Sequence, residues 1–298
     1  MRSHIINYAL EGYKLTNRIG SLIAPSWVAK NASIKFLSPK RFEIKEWEKE
    51  AEKAGTRFNL SKDVSAIRWS QNTITNEIMT NIVSDDVTSE GPKQILLVHG
   101  WESRATQMYG LIRGLVKQGY SVVAVDMPGH GHSTGETSNA YLFSQTVKLA
   151  QQKLGYFHAI IGHSMGAGAA AIAVGKGVVT DKLVLISGPS SIENVLRRFS
   201  GFVGLNNNAT EKFIEFIGQY VGVPAIEMDA TKLLKASNTP TLLIHDEHDV
   251  EVPVSESTRL APVFNQSELF VTKGLGHRNI LKSDEVIEKI SCFVNESR

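Results

Sequence analysis

Residues 154–175 read LGYFHAIIGHSMGAGAAAIAVG, a stretch of 22 residues without a single Lys, Arg, Asp or Glu. Its length and apolarity suit a bilayer-spanning helix. Its internal order does not. A β-favouring run, Phe157–Ile161, meets Gly162, His163, Ser164 and Gly166, and an Ala-rich segment follows. A short apolar run that breaks at glycines and restarts as a helix former is a buried strand, a tight turn and a helix. The rest of the chain is read from that unit.

Other apolar runs repeat the pattern. QILLVHG (94–100), YSVVAVD (120–126), KLVLISG (182–188), TLLIHD (241–246) and ELFVTKG (268–274) are continuous Val/Ile/Leu stretches, as in parallel strands covered on both faces. Helical segments are expected at 105–118, 140–153, 165–176, 255–263 and 284–296. Alternating strands and helices imply an α/β domain with a mostly parallel sheet and right-handed crossovers. Upstream, VSAIRWS and TITNEIMTNIVS (73–84) alternate like an antiparallel pair, which brings the sheet to eight strands.

The alternation lapses between Gly188 and Thr241. Asn208 and Glu211 suggest a capping box there, followed by the apolar stripe Phe213, Ile214, Phe216, Ile217. Residues 190–233 are read as a helical cap inserted over the C-terminal strand ends, where open α/β sheets hold their ligands. Residues 1–62 are read as a separate helical extension. Ile6, Leu10 and Tyr13 share a helix face, Pro25 and Pro39 interrupt the segment, and 45–54 form a charged surface helix.

Composition narrows the function. The chain has 298 residues, 42% hydrophobic and 21% charged, with 32 Lys and Arg against 30 Asp and Glu. That balance is no footprint for nucleic acid. Residues 1–62 hold 12 basic and 6 acidic residues, a surplus that suits a solvated face, with contact to a membrane surface as the alternative. Glu11, Lys14 and Arg18 interrupt any secretory apolar core, so the chain reads as soluble and cytoplasmic. Cys292 alone permits no internal disulfide and reads as a half-buried packing residue.

Chemistry concentrates at Gly162-His163-Ser164-Met165-Gly166, a serine on a strand-to-helix turn with glycines two positions away on either side. A serine hydroxyl needs a base to take its proton, and the base needs an orienting acid. Both occur downstream in that order. Asp246 and Asp249 follow the run 241–246, and His277 follows the last strand. His130 with His132, and His245 with His248, raise zinc ligation. Neither cluster reaches a complete ligand set, so no metal is expected. No complete glycine-rich nucleotide loop is present, and no cofactor is expected.

These motifs resemble the α/β-hydrolase superfamily in its serine carboxylesterase and lipase-like branch. The resemblance rests on LLVHGW (96–101), DMPGHGHS (126–133), GHSMG (162–166), HDEHDVEVP (245–253) and GLGH (274–277), and covers about residues 64–298. It implies Ser164 as nucleophile, His277 as general base and acid, and Asp249 as the orienting acid, chosen over Asp246 by its D-x-x-V-P context. It also implies an oxyanion hole from the backbone N–H groups of Trp101 and Met165. Asp126 would be structural and His99 would brace the oxyanion loop. The cap would supply a pocket for an apolar small-molecule ester, with Phe199, Phe202, Phe213 and Phe216, and His163 beside them. Thioesterase, acyltransferase and carbon–carbon bond hydrolase chemistry share the same residues, and a non-catalytic scaffold is the contrasting class.

Overall fold

The computed structural model describes residues 2–71, 92–235 and 237–296, with the side chains of residues 2–9 excepted. Eight strands form one sheet: β1 (Thr56–Ser61), β2 (Val64–Trp69), β3 (Gln94–Val98), β4 (Ser121–Val125), β5 (Phe157–His163), β6 (Thr180–Ile186), β7 (Thr241–Asp246) and β8 (Ser267–Thr272). Their spatial order is β1-β2-β4-β3-β5-β6-β7-β8. β1 and β2 are antiparallel, β2 runs antiparallel to β4, and the others are parallel.

Twelve α-helices are described: α1 (Arg2–Ile23), α2 (Pro25–Leu37), α3 (Glu46–Lys53), α4 (Tyr109–Lys117), α5 (Ala140–Leu154), α6 (Met165–Gly175), α7 (Ile192–Val203), α8 (Asn207–Val221), α9 (Ala230–Leu233), α10 (Ser255–Leu260), α11 (Gly276–Asn279) and α12 (Asp284–Asn295). The period of two along each strand divides the core into two layers. Leu96, Val98, Val123, Val125, Ile160 and Leu185 face the layer under α5 and α6. Ile95, Leu97, Val122, Ala124, Ile161 and Val184 face the layer under α4 and α12. Strand order reverses around β3, so the turns after β3 and β5 diverge at a switch point and leave a crevice between them.

Several expectations need correction. The partner of β2 is β1, which precedes it across a two-residue turn at Lys62 and Asp63. The sheet therefore begins inside the segment read as a helical extension. β1 is a short edge strand whose only apolar residues are Phe58 and Leu60, too few to stand out beside the charged helix before it. TITNEIMTNIVS lies outside the described residues. β8 is also an edge, half-exposed rather than covered on both faces. Helix α8 starts earlier than Asn208: the Asn206 side chain accepts the Ala209 N–H at 2.9 Å and caps it. Cys292 is exposed.

Residues 190–233 are helical, as α7, α8, a 3-10 turn and α9. Their two ends meet, since Ser191 bridges Asp229 and the Ala230 N–H donates to the Ser190 carbonyl at 2.9 Å. Glu256, buried on α10, accepts the Ser190 N–H at 2.8 Å and pairs with Arg198 of α7. Burial alone would raise this carboxyl, but bonds from Ser190 and the nearby Arg198 charge hold it below the usual range.

Candidate active site

Ser164 occupies the turn between β5 and α6 with φ 55° and ψ −124°, a backbone conformation that L-residues rarely adopt. Neighbouring glycines make the turn sterically feasible. A Cβ at Gly162 would lie 2.5 Å from the Gly166 carbonyl oxygen, and one at Gly166 would run into the Val98 and His99 carbonyls. The strain is held by a bond from the Ser164 N–H to the Ile186 carbonyl at 2.8 Å. A serine at a helix N-cap usually accepts a backbone N–H. Here its hydroxyl makes no such bond.

The hydroxyl turns instead to His277. Ser164 Oγ lies 2.9 Å from His277 Nε2, and His277 Nδ1 lies 2.7 Å from Asp249 Oδ2. A carboxylate can only accept, so Nδ1 carries the proton, and Nε2 is left to accept from the serine hydroxyl. Asp249 Oδ1 also accepts the N–H groups of Glu251 and Val252, both at 2.9 Å. Burial would raise the Asp249 carboxyl, yet its bonds from His245, His277 and Val252 hold it far below the ordinary carboxylate range. It therefore stays ionised beside His277.

Asp246, the competing acid, faces another way. Its oxygens accept from Thr272 Oγ1 at 2.8 Å, the Leu275 N–H at 2.9 Å and the His248 N–H at 3.0 Å. It ties β7 to the loop that carries His277. His245 has a role the sequence did not indicate. Fully buried, it donates from Nε2 to the Val252 carbonyl at 2.8 Å, sits 3.4 Å from Asp249 Oδ2, and contacts Ser257 Oγ through Nδ1 at 2.6 Å. No motif could have shown this, because its partners lie in a loop whose path only the fold defines.

Two backbone N–H groups border the serine. Met165 opens α6, so its N–H has no acceptor within the helix and lies at the positive end of the helix dipole. Gly100 packs against Ser164 so closely that a Cβ there would stand 2.9 Å from the serine Cβ. His99 Nε2 accepts the Met127 N–H at 3.0 Å, so its Nδ1 donates to the Gly100 carbonyl at 2.7 Å. In a trans peptide C=O and N–H point in opposite directions, so the Trp101 N–H faces away from His99. Burial keeps the His99 ring below its usual pKa, consistent with this neutral tautomer.

Among the aromatic residues expected at the pocket, the structure divides the set. Phe199 and Phe213 stack with centroids 5.6 Å apart and meet Phe36 of α2 edge-on at 5.0 and 5.9 Å. Phe36 in turn stacks on Trp101 at 5.8 Å. Phe216 is half-buried against the same core layer, with no ring contact to this group among the described residues. Phe202 does not belong here. It is 56% exposed on the outer side of α7, because it lies about 120° around the helix from the buried Leu196, with Phe199 between them. His163 is also displaced from its expected place: it is buried, and its Nε2 donates to the His277 carbonyl at 2.8 Å. It supports the histidine from behind. Phe36 came from the segment that the sequence placed outside the domain.

The remaining histidines have separate partners. His130 donates from Nδ1 to the Pro128 carbonyl at 3.0 Å and stands edge-on to Trp101 at 5.1 Å. His132 Nε2 meets Glu52 at 3.0 Å, and exposed His248 lies near Glu247. Asp126 accepts from the Ala105 N–H, the His132 N–H and Arg57, joining β1 to the loop after β4. A surface crevice of about 770 Å³ opens at the opposite, N-terminal ends of β6, β7 and β8, between Thr180, Thr241 and Ser267. It is remote from Ser164 and contributes nothing to this site.

Residues 95–289 match the alpha/beta hydrolase family, a span that takes in both Ser164 and His277. The chain belongs to that family. A serine hydrolase-like protein of Dictyostelium discoideum is 32% identical over 88 residues, which cover 28% of this hydrolase and only 24% of that protein's length. A non-heme haloperoxidase of Rhodococcus erythropolis is 27% identical over 62% of this chain and 85% of its own. Among solved structures, an esterase of Pyrococcus furiosus superposes with a TM-score of 0.60 at 22% identity, covering 87% of this hydrolase and 98% of the esterase. At that identity the likeness is one of fold. Among the described residues no helix is long and apolar enough to cross a membrane.

Proposed function

We propose that this hydrolase cleaves carboxylic esters through an acyl-enzyme on Ser164. The observation that carries the reading is His277, which reaches Asp249 and Ser164 at once, at 2.7 and 2.9 Å. Ser164 Oγ attacks the ester carbonyl as its proton passes to His277 Nε2. The carbonyl π electrons move onto oxygen, and the N–H groups of Met165 and Trp101 receive that charge. Such donors favour the transition state because they meet full negative charge only there. When the tetrahedral adduct collapses, the alcohol leaves with the proton from His277. Water then repeats the sequence on the acyl-enzyme and frees the acid.

The aromatic group of Trp101, Phe36, Phe199 and Phe213 gives the site an apolar flank, which suits an apolar acyl or alcohol group. The steps as written draw only on groups of this chain: the Ser164 hydroxyl, the His277 ring, the Asp249 carboxylate and the two backbone N–H groups. The reading is tested by labelling with a fluorophosphonate and by turnover of esters, thioesters and amides. Wild type should label at Ser164 and prefer esters. Ser164→Ala should lose label and about 10⁴-fold or more of ester turnover while its circular dichroism is unchanged. Undiminished turnover in that variant overturns the mechanism, and a preference for thioesters changes the substrate class.

A further inference from the structure

Helix α1 leaves an apolar stripe facing outward. On its inner face Tyr13 packs half-buried against the core, and the two buried positions among its described side chains, Asn17 and Ser21, are polar. Asn17 donates to the Val203 carbonyl at 2.8 Å, and the buried Ser21 accepts from Asn206 Nδ2 through its carbonyl at 3.1 Å. The opposite face, at spacings of four, three and one, is Leu15, Ile19, Leu22 and Ile23, and all four are exposed. Leu22 and Ile23 are each 79% exposed. The stripe continues past the bend at Ala24 onto α2, where Trp27 is 62% exposed and Ile34 follows it seven residues later. Phe202 of the cap joins from the side, since Lys14 of α1 lies over its ring at 5.1 Å. Single exposed apolar residues are ordinary, but a contiguous set on adjoining elements marks a surface that meets something apolar.

Charge selects the partner. Residues 1–42 carry seven Lys and Arg and one acid, Glu11, which already pairs with Lys14. Arg18 and Lys30 flank the apolar stripe without an ion pair among the described residues. A second copy of this chain docked on the same face would bring like charges together. A bilayer with anionic headgroups offers acyl chains to the stripe and counter-charge to its rim, with a tryptophan at the depth where that side chain is favoured.

We propose that the outer face of α1 and the start of α2 dock this protein on anionic lipid surfaces, lying in the interface rather than spanning it. α2 also delivers Phe36 to the aromatic group beside Trp101, so the docking element and the flank of the Ser164 site share one helix. The docking does not rest on ester chemistry.

The test is sedimentation of the full chain with vesicles of phosphatidylcholine, alone or with about one third phosphatidylglycerol. Binding should require the anionic lipid, weaken as salt rises from 50 to 500 mM, and blue-shift the tryptophan emission. Leu22→Ser/Ile23→Ser/Trp27→Ser, all exposed positions, should lower the bound-to-free ratio at least about tenfold with circular dichroism and ester turnover unchanged. Trp27→Phe should bind but lose the blue shift. Ser164→Ala should bind like wild type, which separates this result from the catalytic reading. Equal partitioning of wild type and triple variant overturns the proposal. So does binding indifferent to anionic lipid, or a dimer in lipid-free buffer that the triple variant abolishes.

Discussion

The loops around Ser164 and the outer face of α1 obey opposite rules. Around the serine, polar groups are buried and paired: Asp249 with His277 and two backbone N–H groups, His163 with the His277 carbonyl, His99 with Gly100. On α1 the buried side chains, Asn17 and Ser21, are polar, while Leu15, Ile19, Leu22 and Ile23 meet solvent. Buried polar pairs are costly to disturb, since a partner left alone keeps its desolvation penalty. An exposed apolar stripe is held by nothing and can be changed at little cost. The contrast therefore predicts a hierarchy of mutational effects.

The largest is expected at Asp249. Asp249→Asn keeps the shape but removes the charge that fixes the His277 tautomer, and kcat should fall about 10⁴-fold with the melting temperature little changed. Asp246→Asn gives the contrast. Its oxygens anchor the loop before His277, so it should mainly lower the melting temperature. If the two variants exchange phenotypes in steady-state kinetics and thermal melts, the acid has been misassigned.

The difference between the regions also explains what the sequence could disclose. The turn at Ser164 is legible because it is over-determined locally: only glycines fit at 162 and 166, and their spacing shows in five letters. Position after a strand end brings out His277 and narrows the acid to Asp246 or Asp249, and only the family resemblance, through its D-x-x-V-P context, favours Asp249. His245 and Phe36 are not legible, because their roles depend on where a loop or a helix lands. The helical periodicity of α1 announces two faces but not which of them turns inward. That choice is made by Asn17 and Ser21 finding carbonyl and amide partners on the cap, 186 and 185 residues away. The same ambiguity put Phe202 in the pocket on paper and outside it in the fold.

The cap core comes next in size. Phe213 is fully buried against Phe36 and Phe199, so Phe213→Ala should cost about 3–5 kcal/mol in chemical denaturation. It should also blunt discrimination between short and long acyl esters. A loss under about 1 kcal/mol would show that this aromatic group is not packed as a unit.

Protons sharpen the comparison further. Burial pushes His163 down to about 3, helped by the neighbouring His277 ring, and pushes His130 down to about 3, helped by His99. In the unfolded chain both return to about 6.5. Between those values the unfolded state binds two protons that the folded state does not. Stability therefore falls as pH drops below about 6.5, by up to about 2–3 kcal/mol per pH unit once both unfolded-state rings are charged. Denaturant midpoints measured from pH 7 to pH 5 should decline on this slope, and His163→Gln should flatten it by roughly half. A stability curve that is level or rising toward pH 5 would show that these rings are not held neutral.

The smallest effect is expected where the two regions meet. Phe202 sits on a cap helix yet belongs by exposure to the outer surface, where the cation of Lys14 lies over its ring. An exposed cation–π pair contributes about 0.5–1 kcal/mol at most. Phe202→Ala loses that and some exposed apolar area, so its unfolding free energy should change by no more than about 0.5–1 kcal/mol. Acyl-chain preference should be unchanged, because the ring does not reach the aromatic group beside Trp101. Ester-panel kinetics on Phe202→Ala and Phe213→Ala, run side by side, decide the matter. If Phe202→Ala shifts the chain-length optimum as Phe213→Ala does, then α7 must rotate when substrate binds. If only Phe213→Ala shifts it, the boundary between pocket and outer surface runs through α7 itself, between Phe199 and Phe202.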